Sequence, residues 1–226
     1  NGVSLPQGVL NGLTADLNLI ATAPHLLPEW LRMPQGHRVV GPVYAQLPGE
    51  LPEFLADLAA GPQPLVYFAM GSSGNRDLVL HVLAGLGRAD CQVLAPVRSH
   101  LRQEDLGTLP RNVHVTDWLP AHQLGDAVDL AITHGGEGTV QTSCVQGWPF
   151  IGIPLQFEQR FNVQRCVAFG SARLVSQREA RRTDWAELVR QALGDDGMRS
   201  RARRMAGLME GLDGPGRAAE AICELL

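Results

Sequence analysis

The stretch "THGGEGT" (Thr133–Thr139) has residue types and spacing suited to holding an anion. It follows an apolar run and opens a segment with helical spacing. Gly135, Gly136 and Gly138 allow a tight turn and a close approach of backbone to ligand. A helix beginning there would offer unpaired N–H groups and the positive end of its dipole. His134 and Thr139 add side-chain donors. The pattern is neither G-x-G-x-x-G nor a P-loop. All 19 basic residues are arginine, so a P-loop lysine, a Schiff-base lysine and a lysine general base are excluded together.

Two further groups lie nearby in sequence. "EQRFN" (Glu158–Asn162) follows the apolar run "FIGIPL" and starts another helical segment. An adjacent carboxylate and amide can serve several neighbouring hydroxyls, because one accepts and the other both donates and accepts. That suits a sugar ring, while helix capping by Glu158 is the plainer alternative. Trp118 closes the run "VHVTDW", where an indole can stack on a flat ring. Core packing is its plainer alternative.

Positioning these groups requires a regular scaffold, and the chain supplies one from Pro64 onward. Strand-type runs fall at Leu65–Met70, Cys91–Val97, Asn112–Trp118, Asp129–Thr133, Phe150–Leu155 and Ala172–Val175. Helical segments are predicted between them, notably at Asp77–Gly87, Thr139–Gln146 and Gln159–Phe169. Gly147 and Gly170 stand where left-handed C′ glycines end helices. Alternation of nearly continuous apolar strands with helices predicts an α/β, Rossmann-like, doubly wound parallel sheet. Ligands of such sheets bind beyond the carboxyl ends of the strands. The tail from Thr183 is predicted helical, with Trp185, Leu188, Val189 and Ala192 on one face. The arginines of 199–204 read as a solvated face, since residues 176–226 hold nine arginines against nine acids. The first 64 residues differ in texture, with nine of the 15 prolines. Strands at Leu17–Pro24 and His37–Tyr44 and a short helix ending at Gly61 are predicted there. Residues 1–63 read as a linker or the tail of a preceding domain, and 64–226 as the ligand-binding domain.

Composition narrows the class. The 226 residues are 45% hydrophobic and 19% charged, with net charge −4. That is an ordinary globular balance, and it argues against a general nucleic-acid binder. No apolar run approaches the ~20 residues of a membrane span. Cys91, Cys144, Cys166 and Cys223 have no zinc-type spacing and read as reduced core residues of a cytoplasmic protein. The first residue is asparagine rather than methionine, which predicts a fragment or a processed product.

Taken together, W-x-P at Trp118, H-x-G-x-x-S/T at His134 sixteen residues later, G-x-P at Gly152 and D/E-Q-x-x-N at Glu158 resemble a known pattern. It is that of the donor site of family 1 glycosyltransferases, inverting and metal-independent enzymes of the GT-B fold. The spacing is similar to that of bacterial antibiotic and macrolide glycosyltransferases. The resemblance is good from Pro64 to about Val175 and looser in the tail. It implies that Trp118 stacks on a nucleotide base, and that His134, Gly136, Gly138 and Thr139 hold a diphosphate with help from Ser72. It also implies that Glu158 and Gln159 grip sugar hydroxyls, with Asn162 near the phosphates or supporting the Glu158 loop. Where plant and animal members carry a ribose-binding glutamate, this chain has Thr142. That favours a dTDP-sugar, whose deoxyribose lacks the 2′-hydroxyl, or a relaxed UDP/dTDP preference. Glu137 departs from the pattern and is predicted to point outward.

The resemblance further implies no cofactor and no metal. The partners it implies are a nucleotide-sugar donor and, through an N-terminal half not in this chain, a hydrophobic small-molecule acceptor. The general base belongs to that half, so no catalytic residue is assigned here. His25, His37, His81, His100, His114 and His122 match no site and read as surface or structural. Two alternatives carry different tests. A sugar-nucleotide epimerase of related fold would convert donor without any acceptor. A non-catalytic nucleotide-sugar-binding subunit would need no linker-like first segment.

Overall fold

The computed structural model describes residues 15–44, 46 and 48–225. In chain order the elements are β1 (Asn18–Ile20), β2 (His37–Val39), α1 (Phe54–Ala60), β3 (Leu65–Ala69), α2 (Arg76–Leu86) and β4 (Gln92–Ala95). Then come α3 (Gln103–Leu106), β5 (Val113–Val115), β6 (Leu130–Thr133), α4 (Glu137–Gln146), β7 (Phe150–Gly152) and α5 (Phe157–Phe169). Last are β8 (Ala172–Leu174), α6 (Gln177–Ala180), α7 (Trp185–Leu193), α8 (Asp196–Met209) and α9 (Gly214–Cys223). Short 3-10 turns join several of them. Among the described residues no helix is long and apolar enough to cross a membrane.

Two compact units emerge, and the division does not follow the sequence linearly. The described residues up to Val43, with those from Gly211 onward, form the smaller one. Here β1 and β2 pair in parallel, Asn18 opposite His37. Asp213 caps α9 by accepting the Gly216 N–H at 2.8 Å, and Arg38 pairs with Glu224 at 2.6 Å. The first 14 residues, part of the predicted linker, lie outside the described residues.

The larger unit, Tyr44–Glu210, is built on a six-stranded sheet of order β5-β4-β3-β6-β7-β8. All its pairings are parallel. The chain starts at β3, winds outward through β4 to β5, then crosses back to β6 and winds the other way. The reversal leaves a crevice between the carboxyl ends of β3 and β6, where Ala69 lies opposite Thr133. Every residue of β3 is buried, as a strand covered on both faces requires. Val66 and Phe68 enter a core with Leu78, Val82 and Leu83 of α2 and with Trp185 and Val189 of α7. Each such side chain contributes about 1.5–3 kcal/mol by leaving water. Trp185 is fully buried and its indole donates to the Ala180 carbonyl at 3.0 Å. It fits because Gly85 of α2 has no side chain, and a Cβ there would sit 2.8 Å from the Trp185 Cβ.

The doubly wound α/β sheet is the predicted one, with shorter elements. The run Asn112–Trp118 pairs only over Val113–Val115, so Trp118 stands in the following loop. Helix α4 begins at Glu137 and α5 at Phe157, each two residues before the predicted start. Gly147 and Gly170 do end these helices in the left-handed region, at φ +72° and +89°. The helical tail is three helices, broken at Gly194 and again beyond Met209.

Candidate functional site

Four connections meet at the carboxyl edge of the sheet, those following β3, β4, β5 and β6. Together they line a cleft of about 220 Å³. Its walls include Tyr67 and Gly71 from β3 and its loop, Pro96 after β4, Trp118 and Leu119 after β5, and Gly138, Thr139 and Thr142 of α4. This is the position the strand reversal dictates.

At one end stands Trp118, 55% exposed, which removes core packing as the explanation of this residue. Its ring packs against Gly49, where a Cβ would come within 2.9 Å of Cζ3. An indole this exposed at the cleft wall is available to stack on a flat ring. The floor holds the buried Tyr67, whose ring leans on Trp148 with centroids 5.7 Å apart. Burial raises the Tyr67 phenol pKa well above its ordinary value, so it stays a neutral hydroxyl.

The turn from β6 into α4 is shaped by glycine. Gly135 has φ +85°, and a Cβ there would sit 2.6 Å from Val163 Cγ2 and 2.8 Å from the Gln159 carbonyl. Gly136 and Gly71 both press against His134, Gly71 so closely that its Cβ would lie 2.5 Å from His134 Cε1. His134 is therefore buried in a glycine slot. Burial, the dominant cause, lowers its pKa below the usual histidine value. The ring is neutral at pH 7, with one donor and one acceptor nitrogen. Thr139 donates to the Gly136 carbonyl at 3.0 Å, and Thr142 to the Gly138 carbonyl at 2.8 Å. Both hydroxyls are thus turned back on the helix, which leaves the backbone of its first turn as the readier donor set. Glu137 accepts from Gln141 Nε2 at 2.6 Å, one turn along α4.

At the start of α5 the sequence alternatives separate. Gln159 does the capping, not Glu158. Its Oε1 accepts from the N–H groups of Leu155 at 2.9 Å and Gln156 at 3.2 Å. Its Nε2 donates to Ser73 Oγ at 3.0 Å, joining the loop after β3 to α5. Gln159 is buried, with most of its amide committed within the protein. Glu158 is exposed, and its carboxylate is steadied by Asn162 Nδ2 at 2.6 Å. The same Nδ2 reaches the Gly135 carbonyl at 3.1 Å, so Asn162 links the sugar-type carboxylate to the anion-type turn. Phe157, beside Glu158, is 89% exposed.

The structure thus gathers Trp118, His134, Gly136, Gly138, Thr139 and Thr142 around one edge, with Glu158, Gln159 and Asn162 joined to it through Gly135 and Ser73. Ser72 is exposed on the loop after β3. Sequence reasoning missed Ser73 and His100. Ser73 sits in the same G-S-S-G turn as Ser72, and only the fold tells which hydroxyl turns to Gln159. His100 follows β4, and its Nε2 lies 2.6 Å from the Gly71 carbonyl. Among the described residues no group of three or more His, Cys, Asp or Glu is placed to hold a metal ion.

Comparison with known proteins gives this geometry a context. Residues 80–225 match the family described as erythromycin biosynthesis protein CIII-like, C-terminal domain. A PGL/p-HBAD biosynthesis glycosyltransferase of Mycobacterium tuberculosis is 30% identical over 193 residues, which is 84% of this chain and 44% of that protein. The 4'-demethylrebeccamycin synthase of Lentzea aerocolonigenes is 30% identical over 202 residues, 85% of this chain and 46% of that one. The chain thus spans less than half the length of these relatives. Among solved structures, the spinosyn rhamnosyltransferase SpnG complexed with thymidine diphosphate superposes with a TM-score of 0.75 at 22% identity, covering 95% of this chain and 59% of that one. The parallel sheet is that of the C-terminal half of a GT-B fold. The chain belongs to the family of erythromycin biosynthesis protein CIII-like C-terminal domains.

Proposed function

We propose that this chain is the donor-binding part of an inverting glycosyltransferase that moves a sugar from a nucleotide diphosphate to a hydrophobic small-molecule acceptor. The observation that carries the reading is the cleft at the strand reversal. It has an exposed indole at one end, a glycine-lined helix start in the middle, and an exposed, oriented carboxylate alongside. The names of the relatives and the thymidine diphosphate in the rhamnosyltransferase support it.

In this reading the base stacks on Trp118, an interaction worth about 1–3 kcal/mol. The diphosphate lies against the first turn of α4, with Gly136, Gly138 and the loop holding Ser72 close by and His134 as a side-chain donor, and Thr139 joins it once its hydroxyl turns from the Gly136 carbonyl to the phosphate. Charge that grows on the leaving diphosphate is met by fixed N–H dipoles, so no metal is needed. Thr142, with its hydroxyl on the Gly138 carbonyl, offers no carboxylate to bracket a diol. We therefore favour dTDP over UDP. Glu158 accepts from sugar hydroxyls, Asn162 steadies it, and Gln159 keeps one N–H in hand while fixing the loop. The exposed Phe157 next to Glu158 gives an apolar acceptor something to lie on.

Residues 64–226 are assigned to donor binding and 1–63 to the join with an acceptor-binding half, which supplies the general base. We place the protein in the cytoplasm; its four cysteines are free, and the Cys144 and Cys166 thiols share a hydrogen bond at 3.8 Å. Calorimetric titration of the chain with dTDP and UDP tests the reading. Saturable binding that weakens in Trp118→Ala is expected. No binding of any nucleotide diphosphate at millimolar concentration would sink it.

A further inference from the structure

We propose that His100 is a positioning residue of the donor site, fixing the peptide between Gly71 and Ser72 so that its N–H faces away from the His100 ring. The inference rests on reading the cleft as a nucleotide-diphosphate site. His100 Nε2 lies 2.6 Å from the Gly71 carbonyl oxygen. A carbonyl only accepts, so Nε2 carries the proton and donates. The carbonyl of Gly71 and the N–H of Ser72 belong to one trans, planar unit and point in opposite directions. Holding the carbonyl therefore aims the N–H.

That peptide needs holding. Gly71 has φ +52°, a region glycine enters freely and leaves as freely. The rest of the loop is tied elsewhere. Ser73 takes a hydrogen bond from Gln159. Asn75 caps α2 by accepting the Leu78 N–H at 3.0 Å. Arg76 makes a two-pronged pair with Asp105, which holds that carboxyl below its usual pKa. At Gly71 the tie is His100, and the ring also packs on Gly74, where a Cβ would lie 3.1 Å from Cε1. Gly71 in turn presses on the His134 ring, so one loop touches both imidazoles. Ser72 thus contributes to an anion site through its backbone, oriented by a residue from the β4–β5 connection.

The test is dTDP affinity, by calorimetry on the 226-residue chain, for wild type and three variants, with thermal unfolding followed in parallel. A glutamine amide nitrogen can reach the place of Nε2, whereas an asparagine amide nitrogen reaches only that of Nδ1. His100→Ala is expected to lose roughly tenfold in affinity, the effect of one orienting hydrogen bond. His100→Gln should recover most of the loss and His100→Asn little of it, with all midpoints close to wild type. If His100→Ala does not fold, the contrast between glutamine and asparagine decides alone. Equal affinity in glutamine and asparagine variants, or an alanine variant that binds like wild type, overturns the role of His100 while leaving the donor reading intact. A wild-type chain that binds neither dTDP nor UDP overturns both.

Discussion

Gly138→Ala separates folding from binding at this site. Gly138 is the second residue of α4, exposed on the wall of the cleft, and a Cβ built there meets no atom within 4 Å. Folding should therefore not suffer. Alanine in place of glycine in a helix is worth about 0.5–1 kcal/mol, less in the first turn. At about 2–4 °C per kcal/mol for a chain of this size, the unfolding midpoint should rise by about 1–3 °C. Binding should move the other way. If a diphosphate rests on the amides of this turn, the added methyl occupies space the ligand needs and holds it off the N–H groups. A loss of about 1–3 kcal/mol, the worth of a displaced charge-assisted hydrogen bond, is about 5- to 150-fold in Kd. Differential scanning calorimetry and dTDP titration on the same sample give both numbers. A stable variant that binds dTDP as tightly as wild type would refute the placement of the diphosphate on α4.

Other perturbations test different parts of the account. Gly135→Ala should behave oppositely to Gly138→Ala, because it meets left-handed strain and contacts at 2.6 and 2.8 Å. Strain and overpacking together cost about 2–5 kcal/mol, read as a lower midpoint in thermal unfolding. Glu158→Gln should leave dTDP affinity within about twofold yet weaken a dTDP-sugar by about fivefold or more, the worth of a hydrogen bond to a charged group. Equal losses for both ligands would place Glu158 elsewhere than on the sugar. Of the four cysteines, Cys91, Cys144 and Cys166 are buried and Cys223 is exposed. Burial also pushes the Cys91 thiol up to about 11. A thiol reagent at pH 8 should titrate one group in the native chain and four in denaturant. His134 has a lowered pKa in the folded state, so the unfolded chain binds its proton more readily. The contribution is neutral above the unfolded value near 6.5 and turns destabilising as pH falls through it. A His134→Asn variant should show a flatter loss of denaturant stability between about pH 6.5 and 5 than wild type.

Much of the architecture was legible because it rests on local rules. Six apolar runs alternating with helical segments fix a parallel sheet, and Gly147 and Gly170 sit where left-handed caps must be. The strand reversal then puts Trp118, His134 and Glu158 at one edge without further information. The roles inside that edge were less legible, because they depend on contacts across long sequence separations. Glu158 and Gln159 both looked like sugar ligands, with capping by Glu158 as the plainer alternative. The fold gives the capping role to Gln159, which accepts from the N–H groups of Leu155 and Gln156 and donates to Ser73. His100 carried no local signal at all, since its partner is a carbonyl 29 residues away. The arrangement of the first segment was hidden for the same reason. Its strands share a compact unit with α9 from the far end of the chain, and the periodicity of 15–43 alone says nothing of that.

The central claim, that the carboxyl edge between β3 and β6 receives a nucleotide diphosphate, is met most directly by a crystal structure of the chain grown with dTDP. The base should be stacked on Trp118, with phosphate oxygens within hydrogen-bond distance of the first N–H groups of α4. Ordered dTDP seated at any other face of the sheet, with this cleft empty, would contradict it.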